Sequence, residues 1–288
     1  MWILFSFLTA LFEAGKDTLC KHALGSSREI TVAWAWKVLS LPFLWPALLL
    51  IPWPKTLSPD FWMALAIGAG LNILATFMYI RAISSDDLSL TLPLLSFTPL
   101  FLLITSPLLV NESPTGISGY LGIVLIFCGS YVLGLGKKRG VLAPLKALFA
   151  NSGPRWMLGV AALWSVAANM DKIGVKATSP FFWAVCVQTV IGAGITLTLL
   201  FARKRKMPTG EKSNPWPLFL IGLLTALGLL CQMTAIDSGI VPYVISIKRT
   251  SIFLGVLAGG FLFKEKEKKW RITGSICMLA GIFCIAAA

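Results

Sequence analysis

Lys248 and Arg249 stand side by side in VPYVISIKRTSIFLGVLAGGFLF (241–263), an otherwise apolar run long enough to cross a bilayer. A guanidinium beside an ammonium suits carboxylate or phosphate oxygens, because Arg offers a planar fork of N–H donors and Lys a compact charge. Each charge costs about 2.5–3.5 kcal/mol at the centre of a spanning helix, so the pair must face protein or water rather than lipid. Adjacent helical residues point about 100° apart, so both reach one cavity only if it is wide or they flank its edge. Tyr243, Ser246 and Thr250 continue the same stripe by spacings of three and four.

The first apolar stretch carries a second stripe. Ser6, Thr9, Glu13, Lys16 and Cys20 share one face, with Asp17 four residues after Glu13. Such a stripe calls for a water-filled or protein-lined cavity. Lys37 lies between Trp34 and Trp45, and Trp34 is a candidate to stack on a ligand or to cover Lys37 as a cation–π partner, with plain bundle packing as the alternative. Further on, Ser165, Asn169, Lys172 and Lys176 share one face. The candidate substrate-binding residues are Lys248, Arg249, Lys37, Lys16, Tyr243 and Trp34. Glu13 and Asp17 can neutralise Lys16 and Lys37 by internal pairing. Even so, the central cations outnumber those two acids, and 241–263 contains no acid, so the excess suits an anionic substrate. Glu13, Asp17 and Asp171 are candidates for proton coupling, since a partly dehydrated carboxylate can exchange protons during transport. Exchange of one anion for another needs no such group.

The elements that must hold these charges follow from composition. Of 288 residues, 57% are hydrophobic and only 13% charged, and the mean hydropathy is +0.81. A soluble domain has about a quarter of its residues charged, so this is expected to be an all-α membrane protein. Ten stretches reach spanning length: 1–21, 30–51, 60–82, 88–110, 116–136, 155–175, 180–202, 216–236, 240–263 and 270–287. The opening MWILFSFLTALFEAGKD has no basic leader region and runs into Glu13, Lys16 and Asp17, so it is expected to be the first span rather than a signal peptide. Little chain is left for a soluble domain.

Basic residues are distributed one-sidedly. Lys21, Arg28, Arg81, the group from Lys137 to Arg155, the group from Arg203 to Lys212 and the group from Lys264 to Arg271 fall in alternate connections, whereas the opposite side holds only Lys55 and Lys176. The positive-inside rule then places those connections in the cytoplasm and both termini outside, in the cytoplasmic (inner) membrane. The net charge of +13 is thus an orientation signal and an attraction to anionic lipids, not a nucleic-acid patch.

Enzyme chemistry finds no footing. The single His22 lies at a span end, and there is no metal-ligand cluster, nucleophile elbow or phosphate-binding glycine loop. The six cysteines lie within spans without metal-ligand spacing and are expected to be packing residues. No cofactor or metal is expected.

The chain repeats. AGKDTLCKHA (14–23) aligns with ANMDKIGVKA (168–177), placing Asp17 on Asp171, and the register continues through MYIRAISS (78–85) on CQMTAIDS (231–238) and Glu112 on Glu265. With a one-residue slip, Gly122 and Gly129 meet Gly274 and Gly281. Two copies of five spans, an odd number, must lie in opposite orientations, which makes an inverted repeat. The expected organisation is a first five-helix repeat at 1–136, a cytoplasmic linker at 137–154 and a second repeat at 155–288.

The two five-span halves, the acids closing the fourth and ninth spans (Glu112 and Glu265) and the Gly-x6-Gly spacing in the fifth and tenth resemble the drug/metabolite transporter superfamily, in particular its EamA-like ten-helix members. The resemblance covers essentially the whole chain and implies a secondary transporter of small metabolites. One departure is that such members are drawn with cytoplasmic termini, opposite to the charge distribution here. The tandem Lys248-Arg249 also resembles the phosphate-binding pair of plastid sugar-phosphate translocators, distant members of that superfamily, which implies organic anions, phosphorylated ones included.

Other features read as architecture. Pro93, Pro99 and Pro107 should kink the fourth span or free carbonyls, Gly255 and Gly259 allow close helix contact, 141–150 suits an interfacial helix, and Asp86-Asp87 suits a helix start. The expected protein is an alternating-access transporter, monomer or weak homodimer, for a small anionic or phosphorylated metabolite. The alternatives are an exporter of amino acids or cationic compounds using the first-span carboxylates, or a lipid flippase.

Overall fold

Hydroxyl groups in the first segment return to the backbone of their own helix. Ser6 Oγ donates to the Trp2 carbonyl, Thr9 Oγ1 to that of Phe5 and Thr18 Oγ1 to that of Ala14, each at 2.8 Å. A chain that cannot use water must satisfy its polar groups in this way. The computed structural model describes residues 1–23, 29–49, 51–85, 91–134, 142–202, 215–254 and 269–288. Glu265, Asp86, Asp87, Gly255, Gly259 and most of the basic connections, which figure in the sequence reading, lie outside those residues.

The described residues form helices and no strand: α1 (Trp2–Ala23), α2 (Glu29–Val38), α3 (Leu41–Leu44) continued by a 3-10 turn (Trp45–Leu49), and α4 (Pro59–Ser85). A 3-10 segment (Leu92–Phe97) leads into α5 (Thr98–Val110), followed by α6 (Gly116–Gly134) and the short α7 (Ala143–Ala150). The second part holds α8 (Ser152–Ala177), α9 (Pro180–Ala202), α10 (Pro215–Ser238), α11 (Val241–Lys248) and α12 (Lys269–Ala286). Among the described residues five stretches are long and apolar enough to cross a membrane: Thr31–Leu49, Pro59–Ala82, Gly116–Leu133, Pro180–Thr198 and Trp216–Ser238. Leu94–Val110 and Thr273–Ala286 are shorter apolar helices, and the segment expected at 240–263 is described only to residue 254. Apolar side chains such as Leu4, Ile67, Ile104, Leu108, Leu197 and Phe283 are exposed on the outside of the bundle, as a lipid-facing surface requires.

Packing follows the sequence repeat. α1 lies along α10 and α4 along α8, contacts that exchange when the two halves are exchanged; α6 lies along α12, the fifth segment against the tenth. There the four repeat glycines meet crosswise. A Cβ at Gly122 would stand 2.7 Å from the Gly281 carbonyl oxygen, and one at Gly129 2.6 Å from that of Gly274, so only hydrogen fits. Gly122 pairs with Gly281 and Gly129 with Gly274, so the two helices run antiparallel, as an exchange axis perpendicular to them produces.

Among the described residues three helical segments are interrupted. Pro42 has no N–H for the Val38 carbonyl and its ring clashes with it, so α2 ends there and the chain turns through Leu39 and Ser40. Pro99 likewise withholds an N–H from Leu95, whose carbonyl is taken by the Thr98 N–H and, at 2.8 Å, by the Thr98 hydroxyl. At the end of α11 the bonding tightens to three-residue spacing, Thr250 N–H to Ile247 and Ile252 N–H to Arg249, before helical backbone resumes at 251–254. In the repeat register the interruptions at 97–98 and at 249–250 fall within one residue of each other.

Candidate functional site

The interruptions converge on one cavity. It contains about 870 Å³ of empty space, part of it continuous with solvent, and its wall includes Glu13, Trp36, Lys37, Asn72, Thr98, Trp164, Asp171, Gln188, Gln232, Lys248 and Arg249. The broken backbone supplies three of these, Lys37, Thr98 and Arg249. Discontinuous helices of this kind bring polar groups to the centre of a membrane protein, where unbroken helices would present side chains alone.

Arg249 is 8% exposed. Its Nη2 donates to Thr98 Oγ1 at 2.8 Å, its guanidinium carbon lies 5.8 Å from the Trp164 ring centroid, and its Nε has no hydrogen-bond partner among the described residues. Lys248 donates to Gln232 Oε1 at 2.7 Å and stands 3.8 Å from Glu13 Oε2. The other oxygen of Glu13 is committed to Lys16 at 2.6 Å, and Lys16 also pairs with Asp17 at 3.1 Å. Lys37, buried, lies 3.9 Å from the centroid of the Trp36 ring, and Lys16 lies 4.3 Å from the same ring. The stub left at the end of α2 is capped by Gln188, whose amide donates to the Lys37 carbonyl at 2.9 Å and to Ser40 Oγ at 3.0 Å. Asp171, 7% exposed, accepts from Trp183 Nε1 at 2.9 Å.

The structure therefore brings Lys37, Lys248, Arg249, Glu13 and Asp171 to the lining of one cavity. Lys16 and Asp17 lie beside it, with Lys16 held between the two first-helix carboxylates. Two expected residues are elsewhere. Tyr243 stacks on Trp2 with ring centroids 6.0 Å apart, and its hydroxyl accepts the Thr115 N–H at 2.8 Å, so it fastens α11 to the start of α6. Trp34 faces α9, where its Nε1 donates to Thr196 Oγ1 at 3.2 Å; Trp36 covers Lys37 instead. The cationic excess also shrinks, because Asp171 joins the same lining. Ser6 and Thr9 of the first-helix stripe are buried against protein, with Thr9 3.5 Å from the Gly228 carbonyl of α10.

Gln188, Gln232, Trp36, Trp164, Thr98 and Asn72 escaped the sequence reading. Gln188 and Gln232 are the chain's two glutamines and both fall inside apolar segments, a signal that was present. Lys172, in contrast, serves the architecture. Its ammonium donates to the carbonyls of Ile236 and Gly239 at 2.7 and 2.9 Å and pairs with Glu112 at 2.7 Å, while Glu112 accepts the first N–H of α11, that of Val241, at 2.7 Å. Among the described residues no group of acids, cysteines and histidine could hold a metal.

The EamA-like transporter family model matches this chain twice, at residues 1–135 and 151–287. A solved crystal structure is similar over 98% of this chain and 95% of its own, with a TM-score of 0.75 and 14% sequence identity, a likeness that speaks to the fold alone. No curated protein matches the sequence.

Proposed function

Because this chain belongs to the EamA-like transporter family, whose members move small molecules across membranes, we propose that its cargo is a small organic anion, phosphorylated or carboxylated, bound in the central cavity and carried by alternating access. The observation that carries this reading is the set of three cations lining one cavity, Lys37, Lys248 and Arg249, of which Arg249 keeps an unpartnered Nε among the described residues. A buried guanidinium with an unused donor is costly unless a ligand completes it. The carrier comprises two inverted five-helix repeats, 1–136 and 155–288, joined by a cytoplasmic linker. It lies in the inner membrane with both termini outside, as a monomer or weak homodimer without nucleic-acid partners or enzymatic activity.

Anchoring falls to Lys248 and Arg249, with Lys37, Trp36 and Trp164 lining the same cavity. Glu13 and Asp17 are engaged by Lys16, which weighs against a cation exporter built on the first-helix carboxylates. Asp171 remains free of such pairing among the described residues and is the better candidate for coupling. The test is thermal stabilisation of the detergent-purified protein by phosphorylated metabolites and carboxylates, followed by uptake in liposomes. At a hundred times its dissociation constant a ligand adds about 2.7 kcal/mol of apparent stability. Stabilisation lost in Arg249→Ala supports the anchor; stabilisation by organic cations alone, lost in Glu13→Gln, would replace it.

A further inference from the structure

Both termini lie at one end of the bundle, where Trp2 stacks on Tyr243, Tyr243 accepts the Thr115 N–H and Ile285 packs beside Gly122. Toward that end the cavity gives way to buried apolar side chains. On four helices one such residue stands four positions past the last residue lining the cavity: Val175 past Asp171 on α8, Trp183 past Val187 on α9, Leu102 past Thr98 on α5 and Val241 past Ile245 on α11. Ile236, three positions past Met233 on α10, belongs to the same cluster. Four residues are about one helical turn, so these side chains form a layer between the cavity and the end that carries the termini. Trp183 is fixed within it, its ring lying where a Cβ at Gly174 would run into it and its Nε1 donating to Asp171 at 2.9 Å.

Polar contacts stitch this layer from one side to the other. Lys172 on α8 donates to the Ile236 and Gly239 carbonyls at the end of α10, at 2.7 and 2.9 Å. Glu112, just past α5, pairs with Lys172 at 2.7 Å and accepts the Val241 N–H of α11 at 2.7 Å. Two residues of the layer, Ile236 and Val241, are thus held by their backbones. One turn beyond Lys172, exposed Lys176 reaches Asp237 of α10 at 3.1 Å. All these contacts tie α5 and α8 to α10 and α11, helices that line the cavity one turn further in. Apolar packing alone would close such a layer. A buried ammonium and carboxylate add little net stability over apolar side chains, but water can take over both charges when the contact parts, which keeps the parting reversible. We propose that Lys172 and Glu112 form a latch that holds the cavity shut toward the end carrying the termini and releases when that end opens. The proposal rests on the alternating-access reading above and gives it a closed side and the residues that close it.

The test is cysteine accessibility in sealed vesicles, with the side of the termini identified by protease removal of a C-terminal tag. The parent is the full chain with its six cysteines replaced by alanine and with Ala168→Cys, a buried position lining the cavity. The probe is membrane-impermeant 2-sulfonatoethyl methanethiosulfonate, added on either side. Modification of the parent from the termini side should be slow, and Glu112→Gln and Lys172→Met should each raise that rate at least about tenfold. Ala75→Cys, buried in a separate cluster, should remain unmodified in the same variants. Glu112→Gln keeps an acceptor for the Val241 N–H, so it decides the matter even if Lys172→Met does not fold. Reaction of Ala168→Cys from the opposite side only, indifferent to Glu112→Gln, would overturn the latch and leave alternating access standing. Fast modification of the parent from the termini side, or an equal rise at Ala75→Cys, would also overturn it. No reaction from either side in any variant would overturn alternating access and the latch together.

Discussion

Arg249 Nη2 donates to Thr98 Oγ1 over 2.8 Å, linking the interruption after α11 to the interruption before α5. These two residues lie 151 positions apart in the chain, in corresponding parts of the two halves. Thr98 can accept this bond because its own hydrogen goes to the Leu95 carbonyl that Pro99 leaves open. A proline in one half thus sets up the acceptor for a guanidinium in the other.

Replacing Thr98 by Val keeps the branched shape and removes the acceptor. Arg249, already without a partner at Nε, loses its bond to the Thr98 hydroxyl, and a buried donor left unsatisfied costs about 1–3 kcal/mol. The melting temperature of Thr98→Val should fall, and anion affinity should change along with it, both measurable in detergent. Wild-type values for both would show that the bond does not position the guanidinium.

Glu13 is shared between Lys16 at 2.6 Å and Lys248 at 3.8 Å. In Glu13→Gln, Lys248 loses its nearest counter-charge, so an added anion has more to neutralise. The variant should be less stable than wild type without ligand, yet show a larger thermal shift on adding a bound anion. A smaller shift than wild type would mean that Glu13 supports the ligand rather than standing in for it.

Lys172 ties α8 to the end of α10, and through Glu112 to the first N–H of α11. Removing one member of a buried pair leaves the other uncompensated, at a cost of about 3 kcal/mol or more. Lys172→Met should therefore unfold at a clearly lower temperature than wild type. Adding Glu112→Gln should restore part of the loss, and a double-mutant cycle measures the coupling. Strict additivity would mean the two residues act independently.

The glycine crossing of α6 and α12 can be tested by Gly129→Ala. A methyl there would stand 2.6 Å from the Gly274 carbonyl oxygen, so the helices must separate, at a cost of about 1–3 kcal/mol. Gly70, where an added methyl would meet nothing within 4 Å, is the control: Gly70→Ala should be neutral or slightly stabilising in denaturant or thermal unfolding.

Composition and repetition in the sequence alone determined the membrane class, the segments that carry charge and the correspondence of the two halves. These properties are local or periodic and do not depend on which helix touches which. The glycines at 122, 129, 274 and 281 were legible because the same spacing occurs twice, and the cavity cations because a charge within an apolar run is conspicuous. Partner choice was decided only in three dimensions. Trp34 and Trp36 are two residues apart, about 200° around a helix, and nothing in the nearly uniform apolar pattern of α2 says which side faces the cavity. Tyr243 was placed with Arg249 by helical spacing, which ceases to apply where the helix breaks after Lys248. Asp171 and Lys172 are neighbours in sequence with opposite fates, one left facing the cavity and the other bound to Glu112 and two carbonyls. That difference depends on what α9, α10 and α5 bring to each face of α8, which only the packing of distant segments supplies.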